Sequence, residues 1–378
     1  MAKLIDICDI QYGYSFDSAC FTDDASYPPL VRIRDVKRGF SETYYSGEYS
    51  KEYILHGGDL LVGMDGEFNI ARWKGVDALL NQRVCKLTAR KGTNEEYLRF
   101  AMVRALKSIE DKTAFVTVKH LSAKELNKLE LDMPDIDEQN IRADSLKTLE
   151  KIISLREKAL KGLDDLIKAR FVEMFGDMYL NSKAWSETKL EDMADIVSGI
   201  TKGRKTRAED LTEVPYMAVS NVKDGYIDWT TVKTIEATQQ EIVQYRLLPN
   251  DILMTEGGDP DKVGRGAIIK EIIENCIHQN HIFRVRLDQS VMLPEFFAEY
   301  LQHQRSKNYF LRCAKQTTGI ASINMKQLRA LPVLVPPLSE QGGFVLFKEQ
   351  VDKSKVAIQK SLDETKILFD SLMQEYFG

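Results

Sequence analysis

The chain has 378 residues, 43% of them hydrophobic and 29% charged, and its formal net charge at pH 7 is −5. This length predicts two domains with additional helices, because a single domain usually takes roughly 100 to 200 residues. The composition is typical of an ordinary soluble protein. The small acidic excess argues against a free-standing basic domain that binds nucleic acid with its whole surface.

The first residues lack the basic, apolar and small-residue order of a signal peptide, and no apolar run approaches the roughly 18 residues of a membrane span. We therefore expect a cytoplasmic protein with no membrane partner. The cysteines are scattered without any Cys-x-x-Cys spacing, and we expect reduced thiols that mostly fill space. They are Cys8, Cys20, Cys85, Cys276 and Cys313.

The first part of the chain predicts a compact mixed globule. Short apolar or alternating runs, punctuated by Gly, Asp and Asn, predict strands at 31–36, 59–63 and 83–87, and helical spacing follows at 97–110 and again at 294–304. Alternation in the first run would place Arg32 and Arg34 on an exposed strand face, with Val31 and Ile33 pointing inward. The predicted fold class is therefore α+β, or mixed α/β.

Past Glu138-Gln139 the pattern changes to an uninterrupted helix with an apolar stripe at alternating steps of three and four residues. The same stripe recurs in the same phase 202 residues later. Such a seam is the signature of a coiled coil. Its residues are Leu146, Leu149, Ile153, Leu160, Leu163, Ile167, Val351, Ile358, Leu362, Phe369 and Leu372, with Arg156 and Arg170 at two further positions of the first stripe.

We expect the two stripes to pair as an antiparallel coiled coil with pseudo-two-fold symmetry, separating two similar globules. About 40 residues at roughly 1.5 Å each make a rod near 60 Å long. The alternative is that each amphipathic helix buries its stripe against its own globule. The first stripe continues from 146 to 174, which is longer than one globule usually covers and favours pairing.

The second half of the chain repeats the plan of the first. The tetrapeptide Glu-Met-Phe-Gly at 173–176 returns as Glu-Tyr-Phe-Gly at 375–378, and Glu138-Gln139 returns as Glu340-Gln341, both 202 residues later. So long a period indicates a duplicated domain and not a solenoid. We predict a first domain at 1–136, a first spacer helix at 137–178, a second domain at 179–338 and a second spacer helix at 339–378.

One stretch of the second copy carries a family resemblance. It runs TTGIASIN at 317–324 and continues to PPLSEQ at 336–341. This stretch is similar to the passage from a target-recognition domain into its helical spacer in the specificity (S) subunits of type I restriction-modification systems. The whole chain resembles that family, although 113–122 lacks the glycine of the motif and Asp135 replaces its second proline.

The resemblance implies DNA recognition without catalysis. In this family each globule reads one half of a bipartite, asymmetric site in double-stranded DNA, and the helices set the unread spacing. The helices also dock two methyltransferase (M) subunits, and restriction (R) subunits join through the M–S complex. No cofactor is expected in this chain, because S-adenosylmethionine, ATP and Mg belong to the partner subunits.

DNA contacts are predicted in loops rich in glycine and basic side chains. Arg and Lys contact phosphates as charges, and Arg can also bond guanine O6 and N7 in a bidentate way. The alternative for any one charge is a solvated surface residue, and for a glycine loop it is a hairpin turn. The candidates are Arg32, Arg34, Lys37, Arg38, Asp65, Glu67, Asn69, Lys112 and Thr113 in the first copy, and Lys202, Arg204, Lys205, Arg207, Asn221, Lys223, Glu256, Arg265, Lys315, Thr317 and Thr318 in the second.

Catalytic patterns are nearly absent from the sequence. The stretch 199–206 resembles a phosphate-binding loop but has one residue too few between its glycines. The Asn/Asp-Pro-Pro-Tyr/Phe motif of amino-methyltransferases does not occur. His278 and His281 lack a matching cysteine cluster, so turn or DNA contacts are favoured over a metal pair. We therefore predict a non-catalytic protein without a metal, and the competing hypothesis is a coiled-coil scaffold whose globules bind proteins.

Overall fold

A computed structural model of the protein describes residues 1–66, 68–112, 121–204, 210–259, 263–317 and 320–378, with the backbone alone described at 112, 316, 317 and 320. The chain forms two compact units, Met1–Ala159 with Ile358–Gly378 and Leu160–Ala357. Each unit combines sheets and helices, which confirms the predicted mixed fold class. The units divide within the two long helices, so the four predicted sequence segments stay a prediction.

The first unit is built on an antiparallel sheet with helices packed against it. Its strands are β1 (Ala2–Lys3), β2 (Cys8–Tyr12), β3 (Phe21–Thr22), β4 (Leu30–Val31), β5 (Tyr44–Tyr45), β6 (Ile54–Leu55), β7 (Leu60–Gly63), β8 (Asn69–Arg72), β9 (Ala78–Leu80), β10 (Val84–Ala89) and β11 (Glu130–Leu131). Its helices are α1 (Leu4–Ile7), α2 (Ile33–Arg38), α3 (Glu95–Lys112), α4 (Ala123–Lys128) and the first part of α5 (Ile136–Phe175). The largest sheet has the order β2-β10-β7-β8.

The second unit repeats this arrangement. Its strands are β12 (Ser186–Lys189), β13 (Ala194–Ser198), β14 (Thr212–Met217), β15 (Lys233–Ala237), β16 (Ile252–Thr255), β17 (Gly257–Gly258), β18 (Gly266–Ile268), β19 (Ile277–His278), β20 (Ile282–Leu287), β21 (Lys315–Thr317), β22 (Ile320–Ser322) and β23 (Pro332–Val335). Its helices are α6 (Gln239–Tyr245), α7 (Pro294–Gln302), α8 (Gln304–Cys313), α9 (Met325–Arg329) and the first part of α10 (Leu338–Phe377). The sheet order β13-β20-β16-β18 matches the first unit strand for strand, which is the structural counterpart of the sequence repeat.

Both cores are formed by the inner face of the sheet and the helix that follows it. In the first unit, Leu60 and Val62 of β7 pack with Tyr97 and Met102 of α3. In the second unit, Phe171 and Phe175 of α5 form an aromatic cluster with Phe296 of α7 and Phe344 of α10. Burial of each such side chain contributes about 1.5–3 kcal/mol. In the second unit, both long helices therefore contribute side chains to the core.

Two buried glutamines attach the long helices to their units in the same way. Gln139 accepts a hydrogen bond from the Asn94 amide at 2.9 Å and donates to the Pro134 carbonyl at 2.8 Å. Its counterpart Gln341 accepts from the amide of Leu293 at 2.8 Å and donates to the carbonyl of Pro336, also at 2.8 Å. The glutamine of each Glu-Gln pair thus has a structural role, because its buried side-chain amide satisfies backbone groups at the start of the long helix.

Within each unit, segments of α5 and α10 contact each other and run antiparallel. In the first unit, Arg156 of α5 donates to the Ser361 carbonyl at 2.8 Å, and Lys366 lies 2.9 Å from Glu157. In the second unit, Asp164 of α5 pairs with Lys355 of α10 at 2.5 Å. The eleven predicted seam residues are all buried or half-buried. Pairing of the two helices along one continuous seam stays a prediction.

Two local predictions are wrong. The run 31–36 is not one strand, because β4 ends at Val31 and α2 begins at Ile33. Asp35 accepts a hydrogen bond from the Arg32 amide at 2.9 Å, which caps the start of the helix, and this capping outweighs the alternating pattern. The predicted helix at 294–304 is interrupted at His303, so that α7 and α8 are separate helices.

No helix in the described part of the chain is both long and apolar enough to cross a membrane. All five cysteines are free thiols, as the sequence predicts. Burial raises the pKa of the Cys8 and Cys276 thiols to about 12, so both stay protonated at neutral pH. These two cysteines act as small apolar side chains.

Candidate nucleic-acid interface

The first unit carries an open cleft of about 780 Å³ beside α2. Arg32 and Arg34 line this cleft and are exposed, and Lys37 and Arg38 are exposed further along the same helix. Arg38 makes only a loose ion pair with Glu42 at 3.7 Å. Exposed ion pairs contribute little free energy to stability. Little free energy is therefore lost when such a basic side chain leaves its acid to bind an anionic ligand.

Aromatic rings line part of the first-unit cleft, beside the carboxylates of Asp17 and Glu48. The ring of Phe16 packs against the ring of Tyr45 at 4.8 Å and against the ring of Tyr14 at 5.3 Å, and Tyr14 also contacts Tyr53 at 5.1 Å. Phe16 and Tyr45 are buried, whereas Tyr14 is 52% exposed. A packed cluster therefore holds one exposed ring in place, and such a ring can stack on a base or sugar.

Two further first-copy candidates, Asp65 and Asn69, lie between the end of β7 and the start of β8. The Asp65 carboxylate lies 3.5 Å from the Arg83 guanidinium, and half-buried Asn69 begins β8. Glu67 and Thr113 fall outside the described residues, as does the side chain of Lys112. Arg83 was not a sequence candidate, although it lines the same cleft as Arg32 and Arg34.

In the second unit, Arg204 is held by an acid on α6. Its guanidinium donates to both carboxylate oxygens of Glu241 at 2.7 and 2.6 Å, and also to the Glu236 carbonyl at 3.1 Å. The hydrogen bond from Arg204 holds the pKa of Glu241 below its usual range. This bidentate pair fixes the Arg204 side chain against α6. Lys202 before it is exposed, and Lys205 and Arg207 lie outside the described residues.

Asn221 is not available to DNA, which corrects its place among the candidates. The side chain is fully buried, accepts from the Ala218 amide at 2.9 Å and donates to the Asp228 carbonyl at 2.9 Å. It occupies the capping position that Asp35 occupies in the first unit, 186 residues earlier in the sequence. Lys223, two residues later, is half-buried.

Among the remaining second-copy candidates, the structure describes the side chains of Glu256, Arg265 and Lys315. Glu256 pairs with the ring of His281, and exposed Lys315 lies on β21, in the same small sheet as β17. Arg265 is half-buried, and its Nε atom has no hydrogen-bond partner among the residues that the structure describes. The side chain of Thr317 and all of Thr318 lie outside the described part of the chain.

His278 is a core residue, so the predicted turn or DNA contact is wrong for it. The ring is fully buried, with Nδ1 3.0 Å from the Tyr245 carbonyl and Nε2 3.3 Å from the Val197 carbonyl. Burial lowers its pKa to about 4, so the imidazole is neutral at physiological pH. No cluster of three or more His, Cys, Asp or Glu residues suited to a metal occurs within the described ranges.

A family model described as the type I restriction modification DNA specificity domain matches residues 1–164 and again residues 182–366. The chain belongs to this family. The predicted resemblance to S subunits is therefore confirmed, and the two matches correspond to the duplication seen in sequence and sheet order.

Individual relatives cover nearly the whole chain. The specificity subunit of the type I restriction enzyme EcoBI from Escherichia coli is 28% identical over an alignment 396 residues long. The alignment covers 97% of this chain and 82% of that protein. The MjaVIII specificity subunit from Methanocaldococcus jannaschii is 22% identical and covers 92% and 87%. The fold is similar to the crystal structure of a type I S subunit from M. genitalium, with a TM-score of 0.60 at 15% identity, covering 100% and 95% of the two chains.

The sequence did not predict several of the residues that line the first-unit cleft. Tyr14, Gln82 and Arg83 all line it beside Arg32 and Arg34. Alignment of 81–83 with 279–281 would have found two of them, because both tripeptides contain two amides followed by a basic residue. Tyr14 has no such signal, since Ile200 stands at its place in the second copy.

Proposed function

We propose that this chain is the DNA-recognition subunit of a type I restriction-modification complex. Each unit reads one half of a bipartite DNA site. The observation that carries this proposal is the double match to the DNA specificity family, one match for each copy of the sheet. The site is asymmetric, because the two copies share a backbone plan but differ in the side chains of their loops.

In the first unit the exposed basic side chains of α2 support this proposal. Arg32, Arg34, Lys37 and Arg38 contact the DNA backbone or guanine edges, and Tyr14 stacks at the same cleft. Lys202 and Lys315 contact phosphates in the second unit. The net charge of −5 implies weak binding by the chain alone and strong binding in a complex whose partners add positive charge.

The long helices set the gap between the half-sites and dock two M subunits, and R subunits join through the M–S complex. The chain itself is non-catalytic and cytoplasmic. S-adenosylmethionine, ATP and Mg act on the partner subunits.

The decisive experiment co-expresses the chain with its cognate M subunit in a host that lacks adenine methylation of its own. Genome-wide mapping of methyladenine should yield one split, asymmetric motif with a fixed gap, and the motif should disappear without this chain. Absence of methylation in a co-purifying complex with a competent M subunit would favour the alternative of a protein-binding scaffold.

The half-site assignment has a separate test. The double variant Arg32→Ala/Arg34→Ala should lose or relax the first half of the motif and leave the second half unchanged. Arg90→Ala/Lys91→Ala is the matched control, because it removes two charges beyond the opposite end of β10. An unchanged first half in the Arg32/Arg34 variant would remove the cleft from the recognition surface.

A further inference from the structure

The two units present equivalent loops immediately before the second strand of their main sheets. Asn81-Gln82-Arg83 precedes β10, and Gln279-Asn280-His281 precedes β20. The sequences share no identical residue at any of the three positions. They do share an order of side-chain chemistry: an amide, a second amide and a basic group.

Matching backbone hydrogen bonds hold the middle residues of the two loops. The Gln82 amide donates to the Tyr14 carbonyl at 2.8 Å, and the Asn280 amide donates to the Ile200 carbonyl at 3.0 Å. Tyr14 and Ile200 are themselves equivalent in the sequence repeat, 186 residues apart. Because the backbone is fixed by the same bonds in both units, the side chains are the part of each loop that differs between them.

The third residues are held against acids in both units. The Arg83 carbonyl accepts from the Met64 amide at 2.8 Å, and the His281 carbonyl accepts from the Glu256 amide at 3.0 Å. The Arg83 side chain lies 3.5 Å from Asp65, and His281 Nδ1 contacts Glu256. The side chains are nevertheless 49% and 56% exposed, respectively. Each basic group is therefore positioned by a carboxylate while much of its surface faces solvent.

The first residues of the loops have structural roles. Asn81 is buried and accepts from the Gln82 amide at 2.9 Å, and Gln279 accepts from the Val219 amide at 3.3 Å. Both side-chain amides accept hydrogen bonds from backbone N–H groups. We therefore assign these two side chains to the structure of the loops and not to contact with a ligand. The chemistry that remains for recognition is that of the second and third positions.

The location of the first loop supports a recognition role. Gln82 and Arg83 line the first-unit cleft together with Arg32, Arg34 and Tyr14. Arg83 also has a positive backbone φ of 70°, a conformation that costs energy for a non-glycine residue. The loop thus brings an amide and a guanidinium into the cleft where the exposed basic side chains of α2 already lie.

We propose that Gln82 and Arg83 determine base specificity in the first half-site and that Asn280 and His281 do so in the second. This inference rests on the proposed DNA-recognition function. A side-chain amide can bond adenine N6 and N7, and a guanidinium can bond guanine O6 and N7. His281 offers Nε2 to a base edge, because Glu256 holds Nδ1. The acids orient both basic groups before DNA binds, which lowers the ordering cost of recognition.

The test is methylated-motif mapping with the chain and its cognate M subunit. It compares wild type with Arg83→Lys, Arg83→Ala and Gln82→Ala in the first unit, and with His281→Ala and Asn280→Ala in the second. Lysine keeps the charge and the pairing with Asp65 but loses the bidentate fork. Both Arg83 variants should lose roughly tenfold or more discrimination at one base of the first half, with the second half unchanged. Gln82→Ala should likewise lose discrimination at one base of the first half. His281→Ala and Asn280→Ala should each lose discrimination at one base of the second half and leave the first half unchanged.

Two controls match the chemistry of these variants. Arg90→Ala removes an exposed arginine that pairs with Asp9 at 2.7 Å just beyond the other end of β10. His56→Ala removes an exposed histidine that pairs with Asp77 at 2.9 Å. Both controls should retain the complete wild-type motif.

The outcomes separate this inference from the proposed function. No split motif from wild type overturns the proposed function, and the inference with it. A wild-type split motif that keeps every base in all of the Gln82, Arg83, Asn280 and His281 variants overturns the inference alone. Simultaneous loss of both halves in the two Arg83 variants also overturns it, because a base-reading residue of one unit leaves the other half intact.

Discussion

Arg156 of α5 donates a hydrogen bond to the hydroxyl of Thr365 on α10, within the first unit. The same guanidinium donates to the Ser361 carbonyl at 2.8 Å, and Thr365 is 8% exposed. One of the two arginine positions in the mostly apolar stripe of α5 therefore has a specific partner on the other helix. Such polar pairs restrict the register of helix pairing, because a shifted register leaves them without partners.

Arg156→Ala should lower the free energy of unfolding by about 1–2 kcal/mol, since two hydrogen bonds from a charged donor are lost in a partly buried place. Chemical denaturation of the full chain measures this change. Lys158→Ala on the exposed face of the same helix is the control and should stay within about 0.5 kcal/mol of wild type. Equal effects of the two variants would show that Arg156 is only a surface charge.

Gln139→Ala and Gln341→Ala should each lower the free energy of unfolding by about 3 kcal/mol, because each removes a buried side-chain amide that accepts from one backbone amide and donates to backbone carbonyls. Similar losses are expected because the two amides make equivalent bonds. Thermal unfolding of both variants measures the losses, with exposed Gln289→Ala as the control. If only one variant loses stability, the two glutamines do not contribute equally to the free energy of unfolding.

Gly199→Ala should destabilise the second unit by about 3 kcal/mol or more, because its Cβ would lie 1.9 Å from the His278 carbonyl oxygen. Gly162→Ala is the matched control in α5, where an added Cβ meets nothing within 4 Å. That control should raise the free energy of unfolding by about 0.5–1 kcal/mol through helix propensity. Unfolding midpoints that shift in the same direction would contradict the close approach at Gly199.

The buried His278 predicts a loss of stability in acid. Its pKa is lowered from 6.5 to about 4 by burial, so between these values the unfolded chain binds a proton that the folded chain does not. Stability from this group is complete above pH 6.5 and falls by about 3 kcal/mol as the pH drops to 4. Denaturation curves for His278→Gln should lack this component, and an identical pH dependence in wild type and variant would refute it.

The spacing role of the long helices has its own test. Removing one heptad from each helix, 153–159 and 360–366, shortens each by about 10 Å while keeping the phase of the seam. The gap of the methylated motif should shorten by about three base pairs, at roughly 3.4 Å each, with both half-sites unchanged. A gap of wild-type length would exclude the helices as the determinant of spacing.

The pattern of the sequence alone determined the duplication, the two long helices and the family. Each of these follows from signals that are local or that repeat along the chain, such as the Glu-Gln before each helix and the steps of three and four in the seam. Helical periodicity is visible in sequence because side chains three and four residues apart share one face of the helix.

Only the tertiary structure decided which polar side chains are available to DNA. Arg204 is held by Glu241, 37 residues away, and Arg83 and Arg32 meet at one cleft although 51 residues separate them. Asn221 is of a polar residue type that is usually exposed, yet its side chain is buried and caps a helix. A polar residue's role depends on its partners in space, and folding brings those partners from distant parts of the chain.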